Sequence, residues 1–176
     1  MPQMNHEVKI RRADSSEAVL LADLGARTFS EAFAAENTPE NMSAYLAQAF
    51  APDRLTAELA DPLATFLLAL VEGEAAGYAK LYQGEPAGCV TGERPLELAR
   101  IYVLQKWLGS GVGLALMQRC VDEARAAGSG VLWLGVWQRN PRALAFYRKW
   151  GFTTVGEQSF KLGADAQTDW VMQRAL

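Results

Sequence analysis

From Leu96 the chain runs through an apolar, strand-like stretch into Leu108-Gly109-Ser110-Gly111-Val112-Gly113, and from there into an amphipathic helix that ends at Gly128. No other stretch restricts the fold as much. Glycine at every second position lets the backbone turn tightly and leaves no Cβ in front of the turn. A helix starting there offers unpaired N–H groups and a partial positive charge at its N-terminus. Together these make a cradle for an anion, most simply a phosphate. A plain tight turn between strand and helix accounts for one of these glycines readily and for all of them poorly.

Two owners of glycine-rich loops lack their own chemistry here. A P-loop needs Lys and Ser/Thr after its last glycine, where this chain has Leu114 and Ala115. A dinucleotide-binding fold puts its glycine turn after the first strand of a βαβ unit and an acid at the end of the next strand. Here the turn follows the fourth expected strand, and the next one ends in Trp137.

The 176 residues suffice for a substantial core, and we read 1–176 as a single domain. A net charge of −3 without a basic run argues against nucleic acid as a partner. No apolar run approaches the ~20 residues that span a bilayer, and residues 1–7 lack the apolar region of an export signal. Cys89 and Cys120 are not spaced for a metal and read as free thiols of a reducing, cytoplasmic compartment. The single histidine, His6, lies near the start of the chain, leaving none for a nucleophile triad or a His-rich site, and no metal is expected.

Hydrophobic periodicity and punctuation predict strands over 8–12, 65–71, 77–82, 96–104, 131–137, 152–160 and 169–174. Between them lie a helix capped by Asp14, Ser15 or Ser16 and running to about Ala34, a helix after Thr38-Pro39, a short one opened by Pro52, the helix over 112–127, and one from Asn140-Pro141 to Gly151. This is an α/β (α+β) layout: one central twisted mixed sheet of about seven strands, flanked by helices on both sides. Strand alternation on the fourth strand places Glu97, Ala99, Ile101 and Val103 on one face.

Two blocks in order carry a resemblance. The first is Ile101-Tyr102-Val103, then Leu108-Gly109-Ser110-Gly111-Val112-Gly113, then Leu114-Ala115-Leu116-Met117. The second is Asn140-Pro141-Arg142-Ala143-Leu144-Ala145-Phe146-Tyr147, closing with Trp150-Gly151-Phe152. Thr28-Phe29-Ser30-Glu31-Ala32-Phe33 and Gly77-Tyr78-Ala79-Lys80-Leu81 add to them. Over nearly its whole length the chain resembles the GCN5-related N-acetyltransferase (GNAT) superfamily. It departs from that family at Leu108, where Gln or Arg is usual, so a side-chain contact to the pyrophosphate is in question. Lys106 is the nearest alternative cation.

The resemblance implies a GNAT fold whose fourth and fifth strands splay apart to hold acetyl-CoA as co-substrate. The backbone amides of Gly109, Ser110, Gly111, Val112 and Gly113 would face the pyrophosphate, with Leu108 at the head of the same binding loop. Ile101, Tyr102 and Val103 would pair their backbone with the pantetheine arm, an N–H near Tyr102 or Val103 polarising the thioester carbonyl. Asn140 would bond the pantetheine or acetyl region, besides capping its helix. Tyr147 would be the general acid that donates to the departing thiolate; on periodicity alone it is also a packed core tyrosine. Glu97, at the family's catalytic glutamate position, would take the proton of the acceptor amine, or else pair with Arg100 or Arg94 as a strand-edge acid. Phe29, Phe33 and Tyr45, with Glu31 and Glu36 nearby, would line an acceptor pocket suited to a cationic amine, or simply belong to an aromatic core.

The expected activity is direct transfer of an acetyl group from acetyl-CoA to a primary amine of a small molecule, polyamine-like among others, or of a protein. The alternatives are an acyl-CoA sensor without catalysis and a transferase for a longer acyl-CoA. The expected partners are acetyl-CoA and the amine, without nucleic acid or membrane, and a homodimer is compatible with the sequence.

Overall fold

The computed structural model describes residues 6–176; residues 1–5, most of the stretch read above as lacking an export signal, lie outside them. Local chemistry sets the element ends. Asp14 accepts the Ser16 N–H, while Glu17 reaches back to the Asp14 N–H, a capping box that starts the turn leading into α1 (Ala18–Phe33). Thr38 caps α2 (Pro39–Ala49), with Pro39 in its first turn. Pro52 opens α3 (Pro52–Ala60), and Asn140 caps α5 (Pro141–Lys149), which follows α4 (Val112–Ala126).

The strands are β1 (Val8–Arg12), β2 (Ala64–Val71), β3 (Glu74–Tyr82), β4 (Pro95–Val103), β5 (Val131–Trp137), β6 (Thr153–Leu162) and β7 (Asp165–Ala175). They form one sheet in the order β1-β2-β3-β4-β5-β7-β6. Every neighbouring pair is antiparallel except β4 and β5. β3 starts earlier than expected because Glu72 and Gly73, both at positive φ, close a tight hairpin that extends the pairing with β2. β6 and β7 form a longer hairpin than the sequence suggests, turned at Gly163.

Each face of the sheet carries its own apolar layer. Leu116, Met117, Cys120 and Val121 of α4 and Leu144 of α5 pack on Leu96, Leu98, Leu132 and Leu134. Leu21 and Leu24 of α1, Met42 of α2 and Leu55 of α3 pack on Phe66, Leu68 and Tyr78 of the opposite face. No helix among the described residues is long and apolar enough to cross a membrane.

The alternation expected on β4 is broken. Lys80 pairs with Arg100 but Leu81 with Leu98, so Ala99 bulges out of the ladder with β3. Before the bulge Leu96 and Leu98 face α4; after it Ile101 and Val103 do. Glu97 therefore shares a face with Arg100 and Tyr102, under α1 and α2, and not with Ile101 and Val103. One extra residue reverses every later side chain of the strand.

Candidate functional site

β4 and β5 stay paired only from Pro95–Val131 to Glu97–Trp133 and then part. The gap that opens at their C-terminal ends leads into a cavity of about 810 Å³. Its walls are β4, the loop before α4, the start of α5, β5, and the aromatic side chains of α1 and α2.

The glycine loop forms one end. Gly109 (φ +79°) and Gly111 (φ +91°) hold left-handed conformations, and a Cβ at either would meet no atom within 4 Å. Backbone conformation and open space in front of the loop, rather than crowding by the protein, call for glycine there. Among the described residues the amides of Gly109, Gly111, Val112 and Gly113 have no backbone acceptor. The Ser110 amide differs from the expectation: it donates to the Trp107 carbonyl at 3.3 Å, as does the Ser110 hydroxyl. The Val112 side chain is buried in the core, so only its amide faces the loop. Leu108 is 40% exposed and lines the cavity, an apolar side chain beside free amides. Lys106 does not replace the missing polar group, because its ammonium pairs with Glu74 at 2.9 Å. Besides Lys80 and Arg100 of the sheet, the cation that lines the cavity is Arg142, in the first turn of α5, a position no motif chemistry singles out.

Along β4, successive N–H groups point to alternate edges. The Leu104 amide bonds the Ala76 carbonyl at 2.8 Å, and the Tyr102 carbonyl also points at β3, where it would crowd a Cβ on Gly77. The amides of Ile101 and Val103 thus face the gap, and that of Tyr102 does not. Tyr102 instead contributes its ring, set against Phe29 and Phe33 at 6.1 and 6.2 Å. Tyr147 stands on the opposite wall, with Phe146 and Phe152 around its ring. Burial pushes its phenol well above the ordinary range, so it carries its proton at any physiological pH. Asn140 spends its side-chain oxygen on the Ala143 N–H, which leaves its NH₂ group for the cavity that it lines.

The face under α1 and α2 holds an ionic group. Glu58 of α3 receives both guanidinium nitrogens of Arg100, at 2.9 and 3.2 Å, and the Lys80 ammonium at 3.1 Å. Burial raises the Glu58 carboxyl, but Arg100 and Lys80 outweigh it and hold the group below its ordinary value. Glu97 lines the cavity next to these cations, yet among the described residues it makes no ion pair, with Arg100 or with Arg94. Burial raises its carboxyl, and Lys80 and Arg100 pull it part of the way back.

Phe29, Phe33 and Tyr45 form one aromatic group, with centroids 4.6 Å apart for Phe29–Phe33 and 4.5 Å for Phe29–Tyr45. All three line the cavity, although Phe29 is also core. Trp137 and Phe160 extend the group, at 6.3 Å from Phe33 and 5.5 Å from Tyr45. Of the acids expected nearby, Glu31 lines the cavity but accepts the Gln105 amide at 2.7 Å, holding the loop that precedes the glycines. Glu36 does not reach the cavity. Asp169 of β7 does, and no motif announced it. It was placed there by pairing β7 with β5, which local patterning does not reveal.

The acetyltransferase (GNAT) family model matches residues 26–152. A Lactobacillus delbrueckii subsp. lactis protein, named as an uncharacterised N-acetyltransferase in the pepI 3′ region, is 34% identical over 96% of this chain and 98% of its own length. The PaiA N-acetyltransferase of Thermoplasma acidophilum, solved in complex with coenzyme A, superposes with a TM-score of 0.77 at 17% identity, over 97% of this chain and 99% of that one. YncA of Salmonella typhimurium, a putative acetyltransferase solved with its cofactor acetyl-CoA, gives 0.71 at 23%, over 97% and 94%.

Proposed function

This chain belongs to the acetyltransferase (GNAT) family, and from that premise we propose that it moves the acetyl group of acetyl-CoA onto a small primary amine, as a single domain and by direct transfer. The observation that carries this reading is the parting of β4 from β5 directly in front of the free amides of Gly109, Gly111, Val112 and Gly113. An extended pantetheine arm fits along the gap-facing backbone of Ile101 and Val103 like an added strand, its pyrophosphate at the start of α4. Arg142, in the first turn of α5, is the charged residue of that helix that lines the cavity.

The chemistry follows from the two walls. The amine must lose a proton before it attacks, and Glu97 is the carboxylate of β4 that burial has made more basic. The nitrogen then adds to the thioester carbon, and the second proton it carries in the adduct passes to water as the amide forms. A gap-facing amide of β4 supports the carbonyl oxygen as it becomes negative. When the C–S bond breaks, the electron pair goes to sulfur, and the Tyr147 hydroxyl supplies the proton that makes the free thiol. The proton taken by Glu97 returns to water, and Tyr147 is reprotonated from solvent. No covalent enzyme intermediate is needed. Cys120 lies on the buried face of α4, where burial pushes its thiol up to about 12, and Cys89 does not line the cavity. The test is release of coenzyme A thiol from acetyl-CoA against a panel of amines, with Gly111→Glu as the variant that should lose both coenzyme A binding and turnover.

Leu108 favours one second reading. A loop lacking a polar side chain at its entrance suits an acyl-CoA sensor that binds without turning over. It predicts calorimetric binding of acetyl-CoA with no thiol release for any amine.

A further inference from the structure

Of the cavity carboxylates, Glu31 accepts the Gln105 amide and Glu97 lies beside Lys80 and Arg100, whereas Asp169 has no cation close enough to act on it among the described residues. It is only 8% exposed, it lines the cavity, and its side chain has neither an ion pair nor a hydrogen bond there. The other charges of that face are matched: Lys80 and Arg100 lie against Glu58, with Glu97 beside them. A buried, ionised and unpaired carboxylate is costly, and proteins keep one where a ligand supplies the missing charge.

The fold makes room for it on purpose. Asp169 pairs with Trp137 across β5–β7 and with Gln158 across β6–β7. A Cβ on Gly135 would lie 2.4 Å from the Gln158 amide nitrogen and 3.3 Å from an Asp169 carboxylate oxygen. A larger residue at 135 would displace the Gln158 amide and crowd the Asp169 carboxylate. Burial holds the Asp169 carboxyl at about 6, so it is charged at neutral pH. Trp137 beside it and Tyr45, close enough for its phenol to feel the charge, give an aromatic surround of the kind that receives cations.

Asp169 and Glu97 share this face but stand apart. Glu97 is level with Trp133 on β5, and Asp169 with Trp137. The step from Trp133 to Trp137 is roughly 13 Å, and the two strand spacings from β4 to β7 add roughly 10 Å sideways, so the two Cα atoms are on the order of 16 Å apart. With both side chains reaching inward, the carboxylates bracket the space of an extended aliphatic chain. Resting on the acetyltransferase reading, we propose that the acceptor is a small aliphatic diamine: one nitrogen reacts beside Glu97 while the second, still an ammonium, is anchored by Asp169.

The experiment pairs a deletion on the protein with a deletion on the substrate. α,ω-Diamines from 1,4-diaminobutane to 1,8-diaminooctane and the monoamines of equal length are measured with wild type and with Asp169→Asn, in thiol-release kinetics and in calorimetry on the coenzyme A-loaded protein. Wild type should prefer a diamine over its monoamine by about tenfold or more, in KM and in binding. Asp169→Asn should erase that preference through KM, with kcat for the diamine changed less than about threefold, and Asp169→Glu should restore part of it. Equal affinity for diamines and monoamines in wild type overturns the proposal, and that comparison needs no variant to fold. A fall in kcat for both substrates in Asp169→Asn, with the preference intact, puts Asp169 at the reacting nitrogen and also overturns it. Binding that prefers diamines without any thiol release supports the Asp169 site and removes the acetyltransferase reading.

Discussion

Glu97 and Arg100 lie on the same face of β4 because Ala99 is bulged out of the ladder between them. That relationship sets the electrostatics of the acceptor side. Arg100 is held in two hydrogen bonds by Glu58 and is thereby kept from closing an ion pair on Glu97. Glu97 is left half-buried and near positive charge, raised by the first and restrained by the second.

Glu97→Gln keeps the shape and removes the proton acceptor. It should lower kcat/KM near pH 7 by about 10²-fold, within the usual range for loss of a general base. The deficit should shrink as pH rises, since more of the amine is then already neutral. Affinity for acetyl-CoA should hold. A rate loss that is the same at all pH values would mark Glu97 as positioning the amine; an unchanged rate with a lower Tm would make it structural.

Tyr147→Phe keeps the ring that packs between Phe146 and Phe152 and deletes the hydroxyl. Turnover should fall by about 10²–10⁴-fold with acetyl-CoA affinity changed little. Because burial holds the phenol far above its ordinary value, wild-type activity should show no alkaline loss from Tyr147 up to about pH 10. Equal turnover in the variant would return Tyr147 to a packing role alone.

Leu108 is half-exposed at the entrance of the glycine loop, and Lys106 is occupied by Glu74. Leu108→Arg places a cation by the free amides and should tighten acetyl-CoA binding by on the order of 1 kcal/mol, about fivefold, and less at high salt. Calorimetry at two ionic strengths reads this directly. Unchanged affinity would show that the side chain at 108 points away from the pyrophosphate.

The legible parts of this molecule were those in which neighbours along the chain build the feature. The alternating glycines from Gly109 to Gly113, the Asn140-Pro141 cap and the Thr38-Pro39 cap each bring their partners within a few residues, so sequence alone placed them. The bulge at Ala99 leaves no such trace: an apolar strand reads as strictly alternating until its partner is known, and strict alternation sets Glu97 on the face of Ile101 and Val103, opposite to the one it occupies. The Glu58–Lys80–Arg100 group joins α3, β3 and β4, and Asp169 reaches the cavity only because β7 inserts between β5 and β6. Charged residues scattered over such distances look like surface residues until the sheet order is known.

Asp169→Asn should stabilise the resting protein at neutral pH, which a merely structural carboxylate would not do. In the folded chain the group holds its proton up to about pH 6; unfolded, it loses it near the ordinary value of about 3.9. Between these values the folded state binds more protons than the unfolded one, so stability falls as pH rises through that window and stays low above it. Ionising the carboxyl in the folded chain rather than in the unfolded one costs about 3 kcal/mol on these values, and solvent reaching the cavity screens part of that, so the gain in the variant at about pH 7–8 should be smaller. Below about pH 4 both forms are neutral at 169 and the difference should vanish. The groups facing Asp169 are the Tyr45 phenol from α2 and the Gln158 amide from β6, with Glu97, Arg100, Lys80 and Glu58 farther along the same face, and none supplies it a direct counter-ion. Thermal melts of both proteins from about pH 4 to 8 test this. A variant less stable than wild type near neutral pH would mean that Asp169 already has a partner in the folded chain, and the case for a cationic ligand there would fall with it. A more stable variant that binds diamines poorly would show stability given up for a binding charge.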